Sequence, residues 1–204
     1  MRELIIERQR MYLPYFKGKK NVLDFGCGRG EFLELMKNEG IHAVGAETYS
    51  DYVDYCTERG LEVYHRDGLS YLKSMEKPDG IFLGQVIEHL TIDQIVELTE
   101  TAYEKLDEGG VIIMETPNPC SLSIYTNAFY IDPSHNKPVH PKTMEYLLHK
   151  AGFARSNISV VFTECSRPKK TIPELDGYDG FNAAMKDVEN MLYGSQDYAV
   201  IAVK

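Results

Sequence analysis

The sequence predicts a doubly wound α/β domain, in which helices cover both faces of a parallel sheet. Two observations carry this prediction. Short apolar runs alternate along the chain with longer amphipathic segments, and glycines follow several of those segments, where they end a helix. The chain has 204 residues, of which 43% are hydrophobic and 26% charged. That length and composition are typical of one globular domain, so we expect residues 1–204 to form a single domain.

Five strands and three helices are predicted in the first part of the chain. In the first of these helices, Phe32, Leu35 and Met36 fall on one face at helical spacing. The predicted strands are Asn21–Phe25, His42–Ala46, Leu61–His65, Gly80–Gly84 and Val111–Glu115, and the helices are Glu31–Asn38, Tyr52–Arg59 and Asp93–Leu106. A further helix, at about residues 1–17, is expected to pack outside the sheet.

The second part of the chain begins where the fifth predicted strand is interrupted by prolines. Pro117 and Pro119 predict that the fifth strand ends at Glu115, because proline cannot continue a strand ladder. The segment 117–141 is then a long loop, and loops of this length are usually functional. After it we expect a helix, Lys142–Ala151, two strands, Ile158–Thr163 and Tyr198–Val203, and between these strands an insertion, 167–196, with a helix near Ala183–Leu192.

The charge of the chain indicates which partners it can bind, and its cysteines indicate the redox state of its compartment. The chain has 22 Lys and Arg against 31 Asp and Glu, a net charge of −9, and such a field repels nucleic acids. Its 4 cysteines show no CxxC spacing, which favours reduced thiols over a disulfide framework or a zinc site. No apolar run approaches the roughly 20 residues that span a bilayer. We expect a cytoplasmic protein with no membrane span.

A glycine motif follows the first predicted strand. The segment Val22–Gly30 reads VLDFGCGRG, with the spacing GxGxG rather than the GxGxxG of dinucleotide binders. Glycines let the backbone approach a ligand closely, and the next helix points its positive end at that ligand. Asp24, one residue before the strand ends, can orient the loop or meet a cationic group. The spacing also disfavours a nicotinamide dehydrogenase.

Acidic residues end the next two predicted strands. Glu47 closes the second, about 20 residues after the glycine motif, where an acid accepts hydrogen bonds from ribose hydroxyls. Asp67, followed by Gly68, comes after the third, where a carboxylate can accept an adenine amino hydrogen. Because ligands bind at the carboxyl ends of such strands, the three acids together indicate a nucleoside site.

These motifs, with the segment QVIEHL at residues 85–90, resemble those of class I S-adenosylmethionine-dependent methyltransferases over about residues 12–153. The resemblance implies a Rossmann-like sheet of seven strands with an antiparallel last strand. It also implies S-adenosylmethionine (SAM) as cofactor and S-adenosylhomocysteine (SAH) as product. The implied cofactor-binding residues are Asp24, Gly26, Cys27 and Gly28 for the methionine end, Glu47 for the ribose, Asp67 and Gly68 for the adenine, and Gln85 beside the sulfonium.

A narrower resemblance concerns the acceptor. The segments RQR at residues 8–10, ETPNP at 115–119 and YIDPSH at 130–135 are similar to a bacterial group of methyltransferase domains that act on surface polysaccharides such as O-antigen. This similarity implies a small carbohydrate-like or phosphosugar acceptor and O-methylation. A small-RNA acceptor is a subsidiary alternative, which the acidic net charge disfavours.

Histidines are the candidate catalytic groups, because a hydroxyl acceptor benefits from a general base and imidazole titrates near neutral pH. His135 is the favoured base, with His89 and His140 as its neighbours in segments expected above the sheet. In the alternative interpretation, His135 and His140 only hydrogen-bond the proline-rich loop.

Three alternatives remain open. The domain could be a non-catalytic nucleoside sensor or scaffold, and it could form a homodimer. Glu88, His89 and His135 could also form a metal site, as in some O-methyltransferases whose motif resembles QVIEHL. Those enzymes tend to have a further glutamate where Gln85 stands here, and the loss of an anionic ligand weakens a hard-cation site. We therefore expect no metal.

Overall fold

A computed structural model describes residues 2–127, 129–163 and 171–204. In these parts of the chain seven strands form one sheet of order β3-β2-β1-β4-β5-β7-β6. Six strands share one direction, and β7 runs antiparallel to both β5 and β6. The predicted fold class is confirmed. The strands are β1 (Val22–Phe25), β2 (Ala43–Glu47), β3 (Val63–His65), β4 (Gly80–Gly84), β5 (Val111–Pro117), β6 (Ile158–Thr163) and β7 (Asp197–Val203).

Helices cover both faces of this sheet. They are α1 (Arg2–Gln9), α2 (Leu13–Phe16), α3 (Glu31–Asn38), α4 (Ser50–Thr57), α5 (Gly68–Ser74), α6 (Ile92–Lys105), α7 (Ser123–Asn127), α8 (Pro141–Ala151) and α9 (Asp179–Tyr193). On one face Leu23 of β1 packs in a core with α5, α6 and α8, and on the other Val22 packs with α2 and α3. Adjacent strand residues therefore serve opposite faces, as the pleat requires.

The N-terminal segment differs from the continuous helix predicted at about residues 1–17. It consists of α1, a 3-10 turn at Arg10–Tyr12 and the short helix α2. Pro14 lies in the first turn of α2, where its missing N–H costs nothing, whereas inside one long helix it would remove a hydrogen bond. The proline thus favours a new start over a continuous helix.

Helix α5 was not predicted. Among its seven residues, Gly68 and Leu72 are buried, so its apolar pattern is too short to show a helical period. Its start is nevertheless encoded locally, because the Asp67 carboxylate accepts a hydrogen bond of 2.9 Å from the backbone N–H of Ser70.

The predicted end of the fifth strand at Glu115 is wrong, since β5 continues to Pro117. The backbone N–H of Asn118 donates to the Gln196 carbonyl at 2.8 Å, so Pro117, opposite Asp197, occupies a non-hydrogen-bonded position relative to β7. On its other side β4 has already ended, because Gly84 pairs with Glu115. No ladder bond is therefore lost at the proline.

The predicted loop and insertion contain helices that lie against each other. The loop 117–141 carries α7 and a 3-10 turn at Phe129–Ile131, and α9 extends the helix predicted near Ala183–Leu192. The backbone N–H of Leu122 donates to the Met191 carbonyl at 2.8 Å. Residues 167–170 of the insertion, and Cys165, lie outside the described residues. Within the described ranges, no helix has the length and apolar character needed to cross a membrane.

Arg2 connects helix α1 to the glycine motif through hydrogen bonds. Its guanidinium donates to the backbone carbonyls of Arg29, at 2.7 Å, and Gly30, at 3.2 Å. It also forms ion pairs with Glu31 and Glu34 of α3. No residue of α1 is fully buried, and only Ile6 packs against the core among the described residues, so these polar contacts add to a small apolar one in holding the helix over the carboxyl end of β1.

Candidate active site

The glycine motif forms a turn at the carboxyl end of β1. Gly26, Gly28 and Gly30 have φ values of 70°, 51° and 72°, in the region that favours glycine. A Cβ atom on Gly28 would meet no protein atom within 4 Å, whereas one on Gly26 would lie 2.9 Å from Cγ2 of Val86. Gly28 therefore faces open space that a ligand can enter, and Gly26 permits the packing of the turn.

Glu47 joins the end of β2 to this turn. Its Oε2 accepts a hydrogen bond of 2.8 Å from the backbone N–H of Gly28. Its Oε1 accepts from the backbone N–H groups of Thr48, at 2.7 Å, and Tyr49, at 2.9 Å. The carboxylate is only 6% exposed, yet it borders a groove described below. It is held in one orientation by three donors.

A cavity of about 360 Å³ lies beside the glycine turn. Asp24 lines it and is 3% exposed, and burial raises the pKa of its carboxyl well above the usual range. The predicted residues Gly26, Cys27, Gly28 and Gln85 line the same cavity. The structure thus brings together the residues predicted for the methionine end of the cofactor.

The opposite wall of the cavity contains polar residues that the sequence analysis did not assign. Arg8 and Gln9 come from α1, Glu115 from β5 and Asp197 from β7. Arg8 pairs with Asp197 at 3.1 Å, and Tyr12 donates to Glu115. Burial, reinforced by Glu115, raises the pKa of Asp197 to about 6. The narrower resemblance, at residues 8–10 and 115–119, includes Arg8, Gln9 and Glu115, whereas no sequence signal marked Asp197, which is distant from them in the chain.

Gln85 adopts an uncommon backbone conformation, with φ of 58°. Its backbone N–H donates to the Glu115 carbonyl at 2.8 Å, and its Nε2 lies 3.3 Å from Oε1 of the same residue. The two bonds to Glu115 support this strained conformation, which is a common feature of functional sites. Gln85 borders both the cavity and the neighbouring groove.

Asp67 and Gly68 have structural duties at the start of α5. One carboxylate oxygen of the exposed Asp67 caps the helix through Ser70, which leaves the second oxygen for a ligand. A Cβ on Gly68 would lie 2.6 Å from the Phe25 ring, so glycine is required there by packing. Neither residue borders the cavity or the groove.

A groove of about 880 Å³ continues from the glycine turn toward the loop before α8. It shares Gly26, Tyr52 and Gln85 with the cavity. Its other lining residues are Glu47, Thr48, Tyr49, Ser50 and Asp51 at one end and Val86, His89, Asp132 and Ser134 at the other. The lining is therefore rich in hydroxyls, carboxylates and aromatic rings.

The three predicted histidines separate into a pair and a helix cap. The rings of His89 and His135 have centroids 4.7 Å apart. His140 instead caps α8, with Nδ1 accepting from the backbone N–H of Lys142 at 3.1 Å and Nε2 3.4 Å from Sγ of Cys120. Both of its nitrogens are occupied, so the structure supports the structural alternative for His140. The role of His135 as base stays a prediction.

Glu88 lies beneath this pair and is fully buried. Its Oε2 accepts a hydrogen bond of 2.8 Å from the hydroxyl of Thr116, and Oε1 has no hydrogen-bond partner among the described residues. Burial raises the pKa of Glu88 to about 8, against the opposing effect of its hydrogen bonds. One side-chain ligand atom each from Glu88, His89 and His135 lies within 4.8 Å of the others.

Comparisons with known proteins identify the fold and the chemistry. The family model described as a methyltransferase domain matches residues 1–157. The crystal structure of a SAM-dependent methyltransferase from Archaeoglobus fulgidus is 39% identical, with a TM-score of 0.90 over 100% of this chain and 95% of that one. Phosphoethanolamine N-methyltransferase 2 of Haemonchus contortus, solved with SAM, is 16% identical, with a TM-score of 0.67 over 97% of this chain and 52% of that one, and shows the fold alone.

A curated relative, the carboxy-S-adenosyl-L-methionine synthase of Trichodesmium erythraeum (strain IMS101), is 25% identical over 123 residues. The match covers 55% of this chain and 48% of the relative, so the chain spans about half the length of that protein. Together with the glycine turn and its cavity, the family match and the Archaeoglobus structure decide between an enzyme and a sensor. The chain belongs to the methyltransferase domain family and is a SAM-dependent methyltransferase.

Proposed function

We propose that this enzyme transfers the methyl group of SAM to a hydroxyl of a small, carbohydrate-like acceptor. The single observation that carries the proposal is the groove, which leads from the glycine turn to His89, Asp132 and Ser134. Carboxylates and hydroxyls in such a groove can bond the hydroxyls of a sugar, and the ring of Tyr52, which borders both the cavity and the groove, can pack on its face.

In this arrangement the methionine end of SAM occupies the cavity beside Asp24 and Gln85. The ribose hydroxyls bond to Glu47, and the adenine extends toward the free oxygen of Asp67. The methyl group then faces the region where the cavity meets the groove, which Gly26, Tyr52 and Gln85 border. A ligand so placed supplies the proximity on which methyl transfer depends.

The reaction is an in-line displacement. The acceptor oxygen forms a bond to the methyl carbon as the carbon–sulfur bond breaks, and the electron pair of that bond stays on sulfur. The sulfonium becomes the neutral thioether SAH. The hydroxyl proton passes to a histidine as general base: His89 lines the far end of the groove, and the ring of His135, the favoured base, packs against it.

The charge of the groove favours an uncharged sugar over a phosphosugar. Glu47, Asp51 and Asp132 border it, and no Lys or Arg does so among the described residues. A phosphate would therefore enter without a cationic partner. The same charge disfavours the small-RNA alternative.

The test is a methyl-transfer assay with a panel of acceptors. Purified protein and SAM are incubated separately with neutral glycosides, phosphosugars and a short RNA, and the masses of the products are measured by mass spectrometry. The expected result is the addition of one methyl group to neutral glycosides, with the matching amount of SAH. Methylation confined to RNA or phosphosugars would refute the proposed acceptor class, and so would turnover of amines alone.

A further inference from the structure

The cluster of Glu88, His89 and His135 lies at the acceptor end of the groove. Glu88 and His89 belong to the 3-10 turn Ile87–His89 after β4, and His135 comes from the loop before α8. Asn136 ties the two segments together. Its backbone N–H donates to the Glu88 carbonyl at 2.8 Å, and its Nδ2 donates to the Leu90 carbonyl at 3.3 Å. The approach of the three side chains is therefore fixed by the backbone.

Hydrogen bonding determines which nitrogen of His89 has a free lone pair. The Asp132 carboxylate is an acceptor, and it already takes a hydrogen bond of 2.8 Å from the backbone N–H of Ser134. Ser134 must then donate its hydroxyl proton to Asp132, at 2.6 Å, and use Oγ to accept from His89 Nδ1, at 3.0 Å. Nδ1 of His89 thus carries the hydrogen, and Nε2 keeps its lone pair.

The same reasoning applies to His135. Its Nδ1 lies 2.7 Å from the backbone carbonyl oxygen of Phe129. A carbonyl oxygen can only accept, so Nδ1 is the donor and Nε2 again has the free lone pair. A ring nitrogen fixed by a carbonyl or a hydroxyl, with the other nitrogen free, is the arrangement of metal-binding histidines.

Glu88 supplies the second, independent sign of a ligand. Its side chain is fully buried, and Thr116 satisfies Oε2. Oε1 has no partner in the described part of the chain. A buried oxygen without a partner is costly, and neither imidazole beside it makes a hydrogen bond to it. One carboxylate oxygen and one nitrogen of each ring lie within 4.8 Å of one another, a spacing that a metal ion between them can bridge.

We propose that Glu88, His89 and His135 bind a divalent first-row transition-metal ion. This set contains two imidazole nitrogens and one carboxylate, which suit such ions better than Mg²⁺ or Ca²⁺. The expectation of no metal rested on the neutral Gln85, which would weaken a site for a hard cation. Gln85 is engaged with Glu115 instead, and a site for a softer ion is complete without it.

The metal would deepen the proposed function, on which its catalytic role rests. Because His89 borders the groove, an ion on this set has open positions for an acceptor hydroxyl. With both histidines as ligands, neither would act as the general base. The ion would instead bind that oxygen, lower the pKa of its hydroxyl so that the proton passes to solvent, and hold the oxygen toward the methyl group. Metal binding itself does not depend on the identity of the acceptor.

The experiment is a titration of the full chain, freed of metal by a chelator, with Co²⁺. Binding is followed by calorimetry and by the visible absorption of the ion. Glu88→Gln keeps the bond to Thr116 but removes the anionic ligand, and His135→Asn removes a ligand on the loop. The matched control is His42→Asn, since His42 and Glu62 form an exposed imidazole–carboxylate pair, 3.2 Å apart, away from the site. Thermal unfolding without metal checks that each variant is folded.

We expect one Co²⁺ per chain, binding at least tenfold weaker in Glu88→Gln and His135→Asn, and unchanged binding in His42→Asn. Ser134→Ala should weaken binding by about 10-fold or more through loss of the His89 tautomer. Binding that is equal in all variants, or no saturable binding in the parent protein, would overturn the proposal. SAH binding, measured without metal, and the acceptor panel, run both with and without Co²⁺, judge the proposed function separately.

Discussion

The backbone N–H of Gly28 donates a hydrogen bond of 2.8 Å to the carboxylate of Glu47. One end of this bond belongs to the turn that faces the cavity, and the other belongs to the acid proposed to bind ribose. The two halves of the cofactor site are therefore joined before any ligand binds. A change at Glu47 is expected to affect both.

Replacement of Glu47 by alanine should weaken SAH binding by about 2 kcal/mol or more, which is roughly thirtyfold. The variant loses the ribose acceptor and leaves three backbone N–H groups without their partner. Calorimetric titration with SAH measures the effect. Glu62→Ala, an exposed acid just before β3, is the control and should bind SAH as the parent does. Equal affinity in both variants would remove Glu47 from the site.

Alanine substitutions at two glycines with positive φ can separate an effect on SAH binding from an effect on stability. Gly28→Ala should lower the free energy of unfolding by about 1 kcal/mol, the cost of a positive φ, and should abolish SAH binding by filling the approach to the turn. Gly18→Ala is a matched control, because its φ is 80° and its Cβ would also meet no atom within 4 Å. It should show a similar loss of stability with normal SAH affinity. Tight SAH binding by Gly28→Ala would contradict the proposed placement.

Asp197 should make stability depend on pH. Its pKa rises from 3.8 in the unfolded chain to about 6 in the fold. Between these values the folded protein binds more protons, so its free energy of unfolding falls as the pH rises through that window. Asp197→Asn should make the fall in the free energy of unfolding across this window smaller by about 3 kcal/mol. Urea unfolding at a series of pH values measures it, and identical slopes in parent and variant would refute the effect.

His140 is expected to matter for stability rather than catalysis. His140→Ala removes the cap of α8 and should cost about 1 kcal/mol in the free energy of unfolding. His140→Asn retains a side chain that caps well, so it should recover most of this loss. Turnover measured below the unfolding temperature should be normal in both variants. A loss of turnover in His140→Asn, without a loss of stability, would restore His140 as a catalytic candidate.

Local patterns predicted much of the fold. The bounds of α3, β4 and β6 match the structure to the residue, because each is a contiguous apolar or amphipathic run ended by a glycine, a proline or a polar turn. The glycine turn and Glu47 were also predicted, since their positions follow from where strands end. The rule that proline ends a strand failed at Pro117. It does not consider whether the neighbouring strands still require a hydrogen bond from that position.

The rest of the site depends on contacts between distant residues. Arg8 and Asp197 are separated by 189 positions and meet only once β7 lies beside β5. The sequence alternative for His140 is a hydrogen bond within the proline-rich loop, and the structure gives it the more specific role of capping α8. The free oxygen of Glu88 cannot be read from a motif, because it depends on what surrounds a buried carboxyl after folding.

The position of β7 has a consequence for synthesis on the ribosome. This strand is made after β6, yet it lies between β5 and β6 in the sheet. A nascent chain that lacks residues 197–203 can pair five strands, but its β6 has no neighbour, and the cavity lacks Asp197. The cavity proposed to hold the cofactor is therefore completed by β7, so SAM is not expected to stabilise the nascent chain until translation has passed that strand.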